Sequence, residues 1–187
     1  MENTGGNIGR IVEPFVKVSY ALWIVNKGAV SIRISVDGAE SNPEQVAEIL
    51  ISRGYLREPL ATSNVSWTGR FSLRGKVEVV VSSQPGVDIA ATFENKRLLV
   101  AECKGEPTLA AIRSGLDRTA FYTAIGQLII TCGNLPAQPQ QKVIVLADTD
   151  RLRALASDAA QNTLLRQIGV SFALVDRLGN VSEFQPS

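Results

Sequence analysis

Residues 85–104 read PGVDIAATFENKRLLVAECK, in which two apolar runs are joined by the polar triplet at residues 94–96. A short polar triplet between such runs is typical of a three-residue hairpin loop. The resulting register places Asp88 opposite Glu102 on the neighbouring antiparallel strand. Because directly opposed side chains lie roughly 4.5–5.5 Å apart at Cβ, the stretch predicts a hairpin that brings two carboxylates together.

Lys104 lies on the same face as Glu102, because side chains alternate along a strand. Two opposed carboxylates repel each other unless a cation joins them. A divalent metal ion is the natural candidate, and Lys104 is close enough to assist it. The alternative interpretation is a cross-strand charge cluster at the surface, in which Lys104 simply neutralises the two carboxylates.

Asp88, Glu102 and Lys104 resemble the signature of the PD-(D/E)xK nuclease superfamily, although the proline stands three residues before the aspartate rather than directly before it. The resemblance covers mainly residues 43–131. It implies the restriction-endonuclease-like fold and hydrolysis of nucleic-acid phosphodiester bonds. It also implies Mg²⁺ or Mn²⁺, bound by both carboxylates and the backbone carbonyl of Cys103. Lys104 would then orient or help to activate the attacking water.

Helices before and after the hairpin could each add a residue to this site. Residues 41–44 have the form of a capping box, and the apolar positions that follow predict a helix. The resemblance implies a further acidic metal ligand from such a helix. Glu48 is the candidate, because Glu44 already has a capping role. The resemblance also implies a glutamine on the helix after the hairpin, and Gln127 lies in the predicted helix over residues 118–132.

The composition limits the chemistry that is available. The chain has no histidine, so any metal must be held mainly by oxygen ligands, and imidazole-based catalysis is excluded. Cys103 and Cys132 are too few and too far apart to predict a disulfide framework or a zinc cluster, and a reducing, cytoplasmic setting is expected. No apolar run is long enough to span a membrane. Residues 1–9 are expected to form a flexible tail rather than a signal peptide.

The net charge of +1 lacks the strongly basic character of a nonspecific nucleic-acid binder. Local basic residues could still contact phosphates, because some flank a predicted strand and others follow the strand that carries Lys104. These residues are Arg70, Arg74, Lys76, Arg113 and Arg118. Each of them could equally be ordinary solvated surface.

Helices and strands alternate along the chain, which predicts a single α/β domain over residues 1–187 with a central mixed sheet and helices on both faces. Besides the hairpin, strands are predicted at residues 65–73, 77–82, 142–147, 170–176 and 181–184, and further helices at residues 108–114 and over most of 150–167. The apolar N-terminal stretch has two interpretations. It fits a hairpin of residues 16–25 and 29–36, or a buried helix over residues 8–25 that leads into one strand.

The sequence therefore predicts a metal-dependent nuclease with DNA as the expected substrate. A homodimer is compatible with this function, because cutting two strands often uses two sites. One alternative is a catalytically inactive nuclease-like module for nucleic-acid binding or protein assembly. Another is an interaction domain that dimerises through its apolar N-terminal segment.

Overall fold

The computed structural model describes residues 10–36, 43–60, 65–73, 77–135, 139 and 141–184. The described strands are β1 (Ala29–Ser35), β2 (Leu56–Glu58), β3 (Gly69–Leu73), β4 (Val77–Ser82), β5 (Ile89–Phe93), β6 (Leu98–Lys104), β7 (Gln141–Ala147), β8 (Val170–Val175) and β9 (Val181–Phe184). The described helices are α1 (Glu13–Asn26), α2 (Glu44–Ser52), α3 (Leu109–Ser114), α4 (Leu116–Asn134), α5 (Asp150–Ala160) and α6 (Thr163–Gln167). The predicted tail at residues 1–9 lies outside the described residues.

These strands form one mixed sheet in the order β2-β3-β4-β1-β5-β6-β7-β8-β9. β1 is parallel to β4 and antiparallel to β5, while β6, β7 and β8 are parallel neighbours. Successive residues of β6 meet different helices, since Leu99 shares a cavity with Tyr20 of α1, whereas Val100 shares one with Thr131 of α4. Helices therefore cover both faces, and the predicted α/β class with a central mixed sheet is confirmed.

The β5–β6 hairpin has the predicted register, with Ile89 paired to Ala101. Lys96, the last residue of the three-residue loop, has a φ of 62°, the left-handed conformation that closes such loops. Extending the ladder by one pair places Asp88 opposite Glu102, at the end of the sheet where β6 finishes. The local pattern of the hairpin was sufficient to fix this pairing.

The apolar N-terminal stretch forms a helix followed by one strand, so the helix interpretation is confirmed and the hairpin interpretation is wrong. α1 has Pro14 in its first turn, where a missing N–H costs nothing, and it ends before Gly28, which has a φ of 92°. Much of α1 is buried, including the whole side chain of Lys17. A helix that is apolar on most sides shows little periodicity, which is why the sequence left both interpretations open.

Most other predicted elements are confirmed to within a few residues, and two differ. Residues 65–68 form a turn before β3 rather than the start of the strand, and the short strand β2 was not predicted. β2 alternates exposed and half-buried residues over only three positions, too short a pattern to recognise. α2 begins at Glu44, with Pro43 as its N-cap, while Ser41 of the predicted capping box lies outside the described residues. Within the described ranges, each helix is too short or too polar to cross a lipid bilayer.

Candidate active site

A cleft of ≈ 580 Å³ opens where β6 ends, between the start of α1, the segment before β5, and α4. Its acidic, basic and amide-bearing lining residues are Glu13, Gln84, Asp88, Glu102, Lys104 and Gln127. The structure thus gathers at one place the four side chains that the sequence analysis assigned to catalysis. It adds two that the sequence analysis did not assign, Glu13 and Gln84.

Asp88 is held in a fixed orientation by two donors. The backbone N–H of Cys103 donates to its Oδ2 at 2.7 Å, and Nζ of Lys17 lies 2.9 Å from its Oδ1. Lys17 is fully buried, and its ammonium also donates to the carbonyl of Ser35 at 3.1 Å. The cation that stabilises Asp88 in this structure is therefore a lysine from α1.

Glu13 connects the two lysines of the site. Its Oε1 lies 3.4 Å from Nζ of Lys17, and its Oε2 lies 3.3 Å from Nζ of Lys104. Glu13 and Lys17 are four residues apart, which places them on one side of a helix. Gly105 allows the start of α1 to approach β6 this closely, because a Cβ at this position would lie 2.6 Å from the Glu13 nitrogen.

Glu102 is buried beside Asp88, with 4% of its surface exposed. Burial, followed by the charge of Asp88 and a hydrogen bond to it, raises the pKa of Glu102 to about 8, against the opposing charges of Lys104 and Lys17. At neutral pH the Glu102 carboxyl group therefore holds its proton. A carboxyl group with such a shift, facing a cleft, is typical of functional sites.

Lys104 remains an ammonium group. Burial lowers the pKa of Lys104, but the charges of Glu13, Asp88 and Glu102 and the hydrogen bond to Glu13 outweigh burial, so the pKa is raised overall. An ammonium group offers three donors and no acceptor. Lys104 is therefore equipped to orient or stabilise an anion rather than to accept a proton.

The side chains of Gln127 and Cys103 differ in their access to the cleft. Gln127 is exposed on α4 and lines the cleft, as does Thr131 one turn later. The Cys103 side chain is fully buried, and burial raises the pKa of its thiol well above the ordinary value. Cys103 thus contributes its backbone to the site, and its side chain is unsuited to act as a nucleophile.

A helix does bring an acidic residue to the cleft, but the helix is α1 and the residue is Glu13. Glu48 of α2, the candidate from the sequence, does not reach the cleft. α2 packs against α1, and Glu48 is exposed and does not line the cleft. The sequence did contain a signal for Glu13 and Lys17, since they are the only charged residues in the apolar stretch 11–25. That signal required knowing that the stretch is helical, because only a helix places both on one side.

The basic residues predicted to contact phosphates do not line the cleft where they are described. Arg70 is exposed on β3 and forms an ion pair with a glutamate of β4 at 3.1 Å. Arg113 and Arg118 are exposed at the end of α3 and the start of α4. Arg74 and Lys76 lie outside the described residues. The cationic groups closest to the carboxylates are instead Lys17 and Lys104.

The described part of the chain contains no group of three or more acidic, histidine or cysteine side chains arranged to hold a metal ion. No protein-family model, curated protein or solved structure matches the chain. The functional argument therefore depends on the geometry and charge of this cleft.

Proposed function

We propose that the chain is a metal-dependent nuclease of the PD-(D/E)xK type, built on a restriction-endonuclease-like core, that hydrolyses phosphodiester bonds of DNA. The observation that carries the proposal is the convergence of Asp88, Glu102 and Lys104 at the end of one hairpin, in a cleft that also holds Gln127. A surface charge cluster is a weaker explanation, because Glu102 is buried and lies next to a second acid.

The donor atoms of the cleft fit Mg²⁺ or Mn²⁺. Asp88 and Glu102 offer carboxylate oxygens, the backbone N–H of Cys103 contacts Asp88, and the chain has no histidine. The resemblance adds the Cys103 carbonyl as a further ligand. One or two carboxylates are enough for Mg²⁺, which keeps several water ligands and also binds substrate phosphates. Glu102 can exchange its proton for a divalent cation beside Asp88. When bound, such an ion supplies Lewis-acid charge to the phosphate and makes water a better nucleophile.

Electrostatics favour this requirement for a cation. The cleft and its floor contain three carboxylates, Glu13, Asp88 and Glu102, against the ammonium groups of Lys17 and Lys104. Because Glu102 holds its proton at neutral pH, the set has no net charge and does not attract a phosphodiester. A divalent cation that replaces this proton leaves one excess positive charge, which is what an anionic substrate needs.

The protein groups would then bind and orient the reactants. Lys104 donates to a phosphate oxygen or to the attacking water, and Glu13 fixes the direction of its ammonium. Lys17 and the Cys103 N–H hold Asp88 so that its remaining lone pairs face the cleft. Gln127 is placed to hydrogen bond to the substrate from the α4 side.

Cleavage of supercoiled, linear and single-stranded DNA and of RNA, with Mg²⁺, Mn²⁺ or EDTA, tests the proposal. We expect metal-dependent cleavage of DNA that falls at least about a hundredfold in Asp88→Asn and Lys104→Ala, because each change removes a group that acts on the reacting phosphate. Asp148→Asn is the matched control, since Asp148 pairs with Arg153 outside the cleft. Normal cleavage by both site variants, with an unchanged circular dichroism spectrum, would contradict the assignment.

One observation favours the alternative of an inactive nucleic-acid-binding or assembly module. Lys17 already neutralises Asp88 at 2.9 Å, and the described residues offer no ready cluster of three metal ligands. A module of this kind would bind DNA equally well in Mg²⁺ and in EDTA and would cut none of the four substrates. Metal-dependent turnover in the same assay excludes this alternative.

The proposal includes a homodimer, because cleavage of both strands of a duplex often uses two sites, and light scattering measures the oligomeric state directly. We also place the activity in the cytoplasm. The two cysteines are both buried and free, which suits a reducing compartment.

A further inference from the structure

A second cleft, of ≈ 400 Å³, lies at the opposite end of β6 on the face covered by α1. It is formed by the C-terminal half of α1, the starts of β6, β7 and β8, and the end of β9. Along β6, Leu99 of the second cleft and Glu102 of the first are three residues apart, which at 3.3 Å per residue is about 10 Å. The volume falls within the range of roughly 300–1,000 Å³ that is usual for small-molecule sites.

Aromatic side chains form much of the wall of this second cleft. The rings of Tyr20 and Trp23 stack with their centroids 5.5 Å apart, and Phe93 and Phe184 also line the cleft. Trp23 is only partly buried, so part of its ring faces the opening. Walls of this kind suit a planar ring, which stacks on them at an offset.

Two cations rest on these aromatic rings. Nζ of Lys27 lies 4.9 Å from the Trp23 ring centroid, and the Arg97 guanidinium lies 4.2 Å from the Phe93 centroid. Within the described part of the chain, the buried Nε of Arg97 has no hydrogen-bond partner. A buried donor without an acceptor is unfavourable, so a ligand that brings an acceptor to the guanidinium group would offset part of that cost. Phosphate is one of the two anions, with carboxylate, whose oxygens match the planar fork of a guanidinium group.

We propose that this cleft binds one nucleotide unit, with its base stacked on Trp23 and its phosphate bound by Arg97 and Lys27. A planar ring accounts for the aromatic walls and an anion for the two cations, and a nucleoside phosphate carries both in one unit. Gln141 and Glu183, also in the lining, supply donors and acceptors for the base edge or the sugar hydroxyls. This site goes beyond the proposed nuclease function, because it uses neither Asp88 and Glu102 nor a metal ion.

Lys27 is the adaptable part of the site. It is exposed, and its ammonium rests on the ring that the base would cover. Exchange of this contact for a phosphate costs little, because a cation–π contact at a solvated site is weak. The unit is either a free mononucleotide or a nucleotide within a strand, since both present the same base and phosphate.

Intrinsic fluorescence tests the proposal, because the chain has only two tryptophans and Trp67 lies outside this cleft. In Trp67→Phe protein with EDTA present, Trp23 is the only tryptophan, and selective excitation of tryptophan reports on it alone. Titration with adenosine, guanosine, cytidine and uridine monophosphates should give saturable quenching. Trp23→Phe protein, in which only Trp67 emits, corrects for absorption by the nucleotide.

Arg97→Met, made in the Trp67→Phe protein, keeps an apolar stem over Phe93 and removes the guanidinium group. We expect the dissociation constant to rise about tenfold or more, the equivalent of one charge-assisted hydrogen bond. Arg166→Met, on the exposed surface of α6, is the control and should bind as the parent does. The proposal is overturned if no nucleotide quenches Trp23 up to millimolar concentration. It is also overturned if Arg97→Met binds as tightly as the parent.

A short single-stranded oligonucleotide, titrated in the same way, distinguishes the two sources of the unit. Tighter binding by the oligonucleotide identifies a strand, and equal binding identifies the free nucleotide. Because every titration contains EDTA, no cleavage takes place during it. A failure to bind nucleotide at the second cleft therefore leaves the nuclease proposal standing, and a failure to cleave DNA leaves the binding proposal standing.

Discussion

A lysine lies at each end of α1, and the two lysines differ in burial and in the partners that they contact. At the N-terminal end, Lys17 is fully buried and ion-paired with Asp88 and Glu13 at fixed distances. At the C-terminal end, Lys27 is exposed and rests on the ring of Trp23. A buried charge needs fixed partners because desolvation is costly, whereas an exposed cation exchanges partners cheaply. One helix thus borders a preorganised candidate site at one end and a cleft with an adaptable cation at the other.

Replacement of the two lysines measures this difference directly and should give the largest effect. Lys17→Met leaves Asp88 and Glu13 without their shared cation, so we expect a loss of about 3–5 kcal/mol in the free energy of unfolding. Lys27→Met, at the other end of the same helix, should cost less than about 1 kcal/mol. Urea unfolding of both variants at neutral pH, with EDTA present, gives the two values. Equal losses would mean that the two ends do not differ in this way.

We expect the pH dependence of stability to come from the cleft at the N-terminal end of α1, which contains Glu102. The pKa of Glu102 is about 8 in the folded protein, above its ordinary value of 4.5. Between these values the native state holds more protons than the unfolded state, so stability falls as the pH rises and the contribution is lost above about pH 8. In EDTA we expect the free energy of unfolding to fall by up to about 1.4 kcal/mol per pH unit between about pH 6 and about pH 8.

Two substitutions assign that slope to one end of the molecule. Glu102→Gln imitates the protonated acid and should flatten the dependence over this range. Glu183→Gln changes an exposed carboxylate at the second cleft and should leave the slope as in the parent. A slope that persists in Glu102→Gln would show that another group is responsible.

The smallest expected effect tests whether α1 or α2 supplies the acidic side chain that acts at the cleft. Glu13→Gln keeps the shape of the side chain but removes the charge that orients Lys104, and we expect cleavage to fall about 10- to 100-fold, as for other groups that orient site residues. Glu48→Gln, on the exposed surface of α2, should cleave at the parental rate. Initial rates at saturating Mg²⁺ compare the two. A loss in Glu48→Gln with none in Glu13→Gln would reverse the assignment of the acidic helix.

Local pattern was sufficient for the β5–β6 hairpin and for most of the following elements. A three-residue polar loop between two apolar runs fixes the register, and the register alone brings Asp88 opposite Glu102. The alternation of a strand then places Lys104 with Glu102. These relations span fewer than twenty residues, so the sequence could predict them without knowledge of the rest of the chain.

Contacts between distant parts of the chain were beyond such patterns. Glu13 meets Lys104 across a separation of 91 residues, a pairing that depends on where α1 packs on the sheet. The aromatic cleft gathers side chains from α1, β5, β6 and β9 in the same way. Its cations and rings are ordinary residues in the sequence, and nothing local indicates that they share one cavity.

By itself the sequence determined the class of the fold, the hairpin, and the trio of Asp88, Glu102 and Lys104, because each depends on short-range alternation and loop length. Tertiary structure alone decided that α1, rather than α2, completes the site, and that Lys17 is the cation beside Asp88. The physical reason is burial. A helix that is apolar on most sides can pack in several ways, and only the assembled sheet fixes which charges lose their water and must find partners.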